Sequence, residues 1–258
     1  TSSRRQRQMC IRDRMSAFYK DIRDLLAVQS IRYESEKYGP SNYSIYMNKD
    51  YGNVKGYTFS LTKRYDPVSK TSAFVDYTYQ VTEGNSVTSG SFYYNALSGE
   101  QEEKRIVPLA WDQRHILNTN VSVGDPRNWN LGIISKLSSG WPYTPNIPDA
   151  NYVPQPNSGR KPWQWRVDMR LHKNFKVGKL NYLVFMKVYN LLDRRNERYV
   201  FNDTGRAGYT YVFQSTQETQ GFKNHYGEPG VHEWSEYQVR PHYYTAPRSI
   251  NVGFSVDF

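Results

Sequence analysis

The feature that most constrains this chain is a plan of alternating segments joined by connections that are short, then long, then short again. In residues 163–172, Trp163, Trp165, Val167, Met169 and Leu171 fall on one side of an extended chain, and Gln164, Arg166, Asp168, Arg170 and His172 on the other. That period of two marks a strand whose faces meet different surroundings. After Gly178-Lys179 the pattern resumes with Leu180, Tyr182, Val184, Met186 and Val188, a tight hairpin. Two earlier hairpins repeat the plan. Tyr57, Phe59 and Leu61 turn through Asp66–Lys70 into Ala73, Val75, Tyr77, Tyr79 and Val81, and His115–Val123 turns through Gly124-Asp125-Pro126 into Trp129, Leu131, Ile133 and Leu137. A less regular segment from Ser16 and a final one with Ile250, Val252, Phe254, Val256 and Phe258 apolar bring the expected strands to eight.

The connections between these hairpins are expected to be long loops, over about 28–51, 83–111, 139–161 and 193–246. Long structureless loops count against a compact soluble sandwich. Short turns at one rim and long loops at the other are instead the plan of outer-membrane barrels. The expected fold is therefore all-β, an antiparallel transmembrane β-barrel with short periplasmic turns and long extracellular loops.

Composition is compatible with this. Aromatics make up 16% of the chain, with 23 tyrosines, while hydrophobics reach 38% and the mean hydropathy is -0.81. No run of about 18 apolar residues exists, which excludes a transmembrane helix but not barrel strands, whose alternation keeps mean hydropathy low. Trp163 and Trp165 lie beside a long loop, and Tyr65 and Phe175 beside short turns, where girdles at two membrane interfaces are expected.

The first 14 residues differ from the rest. Met9-Cys10-Ile11-Arg12-Asp13-Arg14 resembles the translated mosaic end of a transposase sequencing adapter, so residues 1–14 are read as an artefact, disordered and outside the fold, with the barrel portion in 15–258. The alternative weighed for them is a basic arm for nucleic acid or acidic lipid. They hold five arginines, one aspartate and the only cysteine, Cys10; without them the net charge falls from +10 to +6.

Catalytic chemistry finds no support. The five histidines fall in no His-Glu-x-x-His motif, and there is no Gly-x-Ser-x-Gly or phosphate-cradling glycine loop. No enzyme activity, cofactor or metal is expected. The best metal candidates, His225, Glu228, His232, Glu233, Glu236 and His242 in the last long loop, match no standard ligand spacing and read as hydrated loop residues. The candidate functional residues are Arg166, Asp168, Arg170 and His172, which would line a lumen and contact a solute or a plug. The bland alternative is that they form the solvated inner wall of any large barrel. An anionic ligand would be favoured by the basic balance.

Four stretches together resemble the carboxy-terminal part of a TonB-dependent outer-membrane receptor: Phe18-Tyr19-Lys20-Asp21-Ile22, Trp111–His115, Ser139-Gly140-Trp141-Pro142-Tyr143-Thr144-Pro145 and Asn190-Leu191-Leu192-Asp193. The resemblance implies a barrel of about 22 strands, of which this chain carries about eight, without its plug domain. It implies import of a scarce solute, such as a siderophore, cobalamin, saccharide or peptide, across the outer membrane of a Gram-negative-type bacterium. The implied partners are the plug, the TonB energy-transducing system through that plug, lipopolysaccharide and outer-membrane lipid, and the barrel-assembly machinery. The last would read Phe254, Val256 and Phe258 as an insertion signal; no nucleic acid is implied. Two other readings remain open here: a complete eight-stranded adhesin or structural barrel, closed by pairing the Ser16 and Ile250 strands, and a soluble β-rich carbohydrate-binding module.

Overall fold

A computed structural model describes residues 11–37, 39–85, 105–146, 154–211 and 240–257. Its eight long strands are β1 (Ile11–Ser35), β2 (Gly39–Asp66), β3 (Thr71–Gly84), β5 (His115–Asp125), β6 (Trp129–Ser138), β9 (Gln164–Val177), β10 (Leu180–Tyr189) and β11 (Ser249–Asp257). Three two-residue strands complete the set: β4 (Val107–Pro108), which pairs with β3, and β7 (Pro142–Tyr143) with β8 (Gly159–Arg160), which form a separate pair. The long strands pair antiparallel in chain order, β1-β2-β3-β5-β6-β9-β10-β11, so the path ends on β1 at one edge and β11 at the other.

Register turns the alternation into two chemically distinct faces, because residues directly opposite in an antiparallel pair project to the same side. One row runs Met15, Phe59, Tyr77, Leu117, Leu137, Trp165 across six strands, and another runs Val123, Leu131, Leu171, Met186, Val252 across five. The opposite face carries Ser60, Asp76, Asn118, Lys136 and Arg166 in one row. Among the described residues no second layer covers the apolar side: Met15 and Phe254 are each 77% exposed and Val252 71%. Seven apolar residues among the described ones are buried, and several of these, including Val54, Val107 and Leu109, cluster at the rim of long connections. A soluble module would pack that face into a core; this sheet leaves it open.

Aromatic rings collect at both ends of the apolar face. Near the long connections, Tyr57 stacks on Tyr79 with centroids 5.3 Å apart, and His115 stacks on Trp163 at 5.5 Å. Near the short turns, Phe175 stacks on Tyr182 at 5.3 Å. The ten-residue step from Trp165 to Phe175 is about 33 Å along a strand, or about 25 Å once tilted as barrel strands are, the height of an outer-membrane apolar band.

The short turns follow from local chemistry. Gly178 supplies the positive φ, 65°, at the head of the two-residue β9–β10 turn. In the β2–β3 turn, the Asp66 carboxylate accepts the backbone N–H of Val68 and of Ser69, each at 3.1 Å. In the β5–β6 turn, Asp125 accepts from Arg127 N–H at 3.0 Å.

Two expectations are corrected. Residues 28–51 do not form a loop: β1 and β2 stay paired up to Ser35–Gly39, beyond a bulge between Ile22 and Leu25 where Asp24 takes φ 61°. Tyr33 and Tyr43, register neighbours of the ribbon, are about half exposed, and Tyr46 is 75% exposed and Met47 39%, so side chains on both faces here are not sorted into a buried apolar row, which leaves no periodic signal. Ile11–Arg14, expected to be disordered, continue β1 opposite Lys63–Ser60. Ladder bonds are made by the backbone, so β2 can hold a partner strand whatever its side chains. Residues 1–10, most of the segment read as an artefact, lie outside the described residues, as does Phe258.

The Asp66 turn gives a pH prediction. Hydrogen bonds from the Ser69 side chain, then from the Val68 and Ser69 amides, lower the pKa of this exposed carboxyl below the ordinary aspartate range. A lowered folded value means the turn is fully supported above the unfolded pKa and loses that support as pH falls through the folded one. A carboxyl-carbon NMR titration should place the Asp66 midpoint below about 3.9; a midpoint at or above that would remove the capping account.

Candidate functional site

Arg166, Asp168, Arg170 and His172 follow one another at two-residue steps on β9, so all four lie on the polar face. They span six residues, about 20 Å, and the structure separates their surroundings. Arg166 Nε donates to Asp168 Oδ1 at 2.9 Å, and the same oxygen accepts the backbone N–H of Asn190 at 2.8 Å. Asp168 is thereby committed to fastening the β10 end to β9. His172 stands at the short-turn rim, its Nε2 3.3 Å from the carbonyl oxygen of Pro126. Arg170 makes no hydrogen bond or ion pair among the described residues. It faces Gly132 on β6 and Lys187 on β10.

Sequence reasoning missed the cross-strand partners. Lys136 stands directly opposite Arg166, and Lys187 directly opposite Arg170. Like charges in that relation destabilise a sheet. Register, which a single strand's pattern does not display, was the missing signal. An open concavity of about 300 Å³ lies beside the Arg170–Lys187 pair, lined in part by Asn120, Ser122, Asn130, Asp168, Arg170 and Lys187.

The long-connection rim is fastened by the stretches that carried the family resemblance. Asp112 is fully buried; it accepts Thr82 N–H at 2.9 Å, pairs with the Arg160 guanidinium, and lies 3.4 Å from Arg114 Nε. One carboxylate thus joins the end of β3, the entry to β5 and β8. Gly140 passes so close to Lys161 that a Cβ would sit 1.7 Å from its carbonyl oxygen, and the Tyr143 ring fills the space above Gly159 and Gly205. Asn190, at φ 53°, donates to the carbonyls of Arg194 at 3.1 Å and Ala246 at 3.0 Å. Asn196 brackets Trp165, accepting its N–H at 2.9 Å and donating to its carbonyl at 3.0 Å. Glu197 binds Arg206 at 2.7 Å, a contact that raises the guanidinium pKa further. Burial lowers the Lys161 ammonium pKa, and burial, then the charge of Asp203, raises that of the Tyr143 phenol.

Among the described residues, no three His, Cys, Asp or Glu side chains come together as a metal site needs. His225, Glu228, His232, Glu233 and Glu236 lie outside them, and His242 packs edge-on against Tyr243 in the 3-10 turn Pro241–Tyr243. Of the expected insertion signal, Phe254 projects from the apolar face, Val256 is half-buried opposite Tyr182, and Phe258 lies outside the described residues. Among the described residues no helix is long and apolar enough to cross a membrane, which says nothing of strands.

No family model matches the sequence, and no curated protein does. Among solved structures, the chain is similar to the crystal structure of the outer membrane transporter YddB from Escherichia coli, with a TM-score of 0.53 and 12% identity over 72% of this chain and 27% of that one. At that identity the likeness is one of fold, an antiparallel outer-membrane barrel, and the chain spans about a quarter of the structure it matches.

Replacing Asp112 with alanine should leave the Thr82 amide without its acceptor and Arg160 without its counter-ion. The expected loss is about 2–4 kcal/mol, less than for a fully buried pair because Arg160 is part-exposed. Limited proteolysis should then cut within residues 105–114 or 154–162 while the long strands stay protected; an unchanged digestion pattern would remove the carboxylate from its fastening role.

Proposed function

We propose that this chain forms part of the wall and outer loops of a TonB-dependent receptor that imports a scarce solute across the outer membrane. The observation that carries the reading is the apolar face: eight strands in register present one apolar side that is uncovered among the described residues and one polar side, and among those residues the pairing path ends on two unpaired edges. Lipid satisfies the first and a water-filled or plugged lumen the second. Free edges in hydrocarbon leave backbone groups unpaired at a cost of several kcal/mol each, so the sheet calls for further strands. A complete eight-stranded barrel would pair β1 with β11, and the path offers that alternative no support. The open apolar face likewise gives none to a soluble carbohydrate-binding module.

In this reading the short turns face the periplasm and the fastened rim, with the projecting β1–β2 ribbon, faces outward. The plug, the TonB system acting through it, the assembly machinery and outer-membrane lipid are the partners. The role of this part of the receptor is to shape a passage and hold outer loops rather than to make or break bonds.

Two measurements test the proposal. An independent read of the gene upstream of Met15 should contain a plug domain of roughly 150 residues and several hundred further barrel residues, as domain and barrel sizes of this class require; an in-frame stop codon shortly upstream of Met15, with no such coding sequence between, would refute it. Val252→Arg, near mid-band on β11, should cost about 2–4 kcal/mol of stability in bilayers by urea titration of the intact protein, whereas Asn251→Arg on the polar face should cost less than about 1 kcal/mol. Equal costs would mean that the apolar face does not meet lipid.

A further inference from the structure

The sheet forces cations together on its polar face without neutralising them. Arg170 and Lys187 are register partners on β9 and β10, which puts their Cβ atoms about 5 Å apart. Lys187 Nζ lies 5.0 Å from the centre of the Phe185 ring, an attraction that leaves its charge uncancelled. On the far side of Arg170 is Gly132, and beyond Lys187 is Asn251, neither of them acidic. The nearest carboxylate along β9, Asp168, already holds Arg166 and the Asn190 amide. Asp76, farther off on β3, accepts from Ser60 Oγ at 2.7 Å. Two opposed cations that cost stability and form no ion pair among the described residues are arranged for an anion that comes from elsewhere.

Gly132 supplies the room. A Cβ built there meets nothing nearer than the carbonyl oxygen of Arg170 at 3.9 Å, so the sheet does not require glycine at this position. Its missing side chain instead opens the floor of the concavity beside Arg170. Ser122 and Asn130, hydrogen-bonded to each other at 2.8 Å, and Asn120 supply neutral polar groups to its wall, and Ile134 and Asp168 line it as well, the Asp168 carboxylate being engaged by Arg166 and the Asn190 amide. A volume of about 300 Å³ is at the lower end of the range for small-ligand sites. Arginine and lysine side by side pair a planar fork with a point charge, a set suited to an oxyanion.

We propose that the notch over Gly132 binds the oxyanion group, carboxylate or phosphate, of the solute that this barrel passes; the proposal rests on the import reading above. Arg170 and Lys187 hold the anion, and the absent side chain at position 132 admits it. The notch then acts as a way station on the lumen wall that favours anionic over neutral solutes.

The test uses the intact outer-membrane protein that carries this chain, with insertion checked by heat-modifiable mobility, titrated calorimetrically with sodium succinate and, separately, inorganic phosphate at low salt. At least one anion should bind, the succinate and phosphate arms telling carboxylate from phosphate. Raising salt should weaken it. R170Q/K187Q should weaken it about tenfold or more, and G132L should do the same by filling the notch while keeping both charges and the melting temperature. An inserted protein that binds neither anion, or that binds equally well in both variants, overturns the inference and leaves the import reading standing. The same holds if R170Q/K187Q lowers the melting temperature without changing anion binding, which would assign the cations to an acidic segment of the same protein. A protein that fails to insert overturns the import reading, and this inference with it.

Discussion

On β6, Ile133 stands opposite Val121 on one side and Met169 on the other, while its neighbour Ile134 stands opposite Asn120 and Asp168. Moving any one strand by a single residue would exchange those faces, placing a carboxylate among aliphatics and a methionine among amides. Every other property of the sheet rests on this register. The uncovered apolar face, the aromatic clusters at its two ends and the row of cations on the polar side are all consequences of it. The short turns fix it locally, Gly178 and the Asp66 and Asp125 caps allowing one loop geometry each. The Asp168 link to Asn190 then ties the end of β10 back to β9.

What could be seen in the sequence was what one strand shows by itself. Trp163 to Leu171 announces a two-faced strand because its faces meet different media, and Gly178-Lys179 announces its turn. The β1–β2 ribbon shows no such pattern, since consecutive residues such as Tyr46 and Met47 are both exposed. With no medium to sort the side chains, nothing periodic is written into residues 28–51. Of the site, Arg166 to His172 could be placed on one face, since they sit on a single strand. Lys136, Lys187 and Gly132 could not be joined to them, because that relation exists only once β6, β9 and β10 are aligned.

The residues behind the family resemblance prove to be fasteners. Asp112, Gly140, Tyr143 and Asn190 touch backbone or one another where long connections meet the sheet. Buried acceptors, left-handed turns and sub-van-der-Waals glycine approaches tolerate little substitution. Such positions therefore constrain the sequence where the connections meet the sheet, while saying nothing about what passes along its polar face.

The Asn190 clasp also bears on how the sheet comes together. Most neighbouring strands are close in sequence, and β9 and β10 are joined by the two residues Gly178 and Lys179. The connection from β10 to β11, from Asn190 to Arg248, has 59 residues (248 − 190 + 1). Closing that length rather than two costs about 3 kcal/mol more in chain entropy, which makes the docking of β11 the step of highest contact order. Yet Asn190 reaches Ala246 at 3.0 Å and Asp193 accepts Arg248 N–H at 2.8 Å, pinning the two ends of the connection beside each other. Once that clasp forms, the docking of β11 no longer depends on how much chain lies between, and length can change between the fasteners Asn196–Arg206 and Ala246 without disturbing the strand that follows.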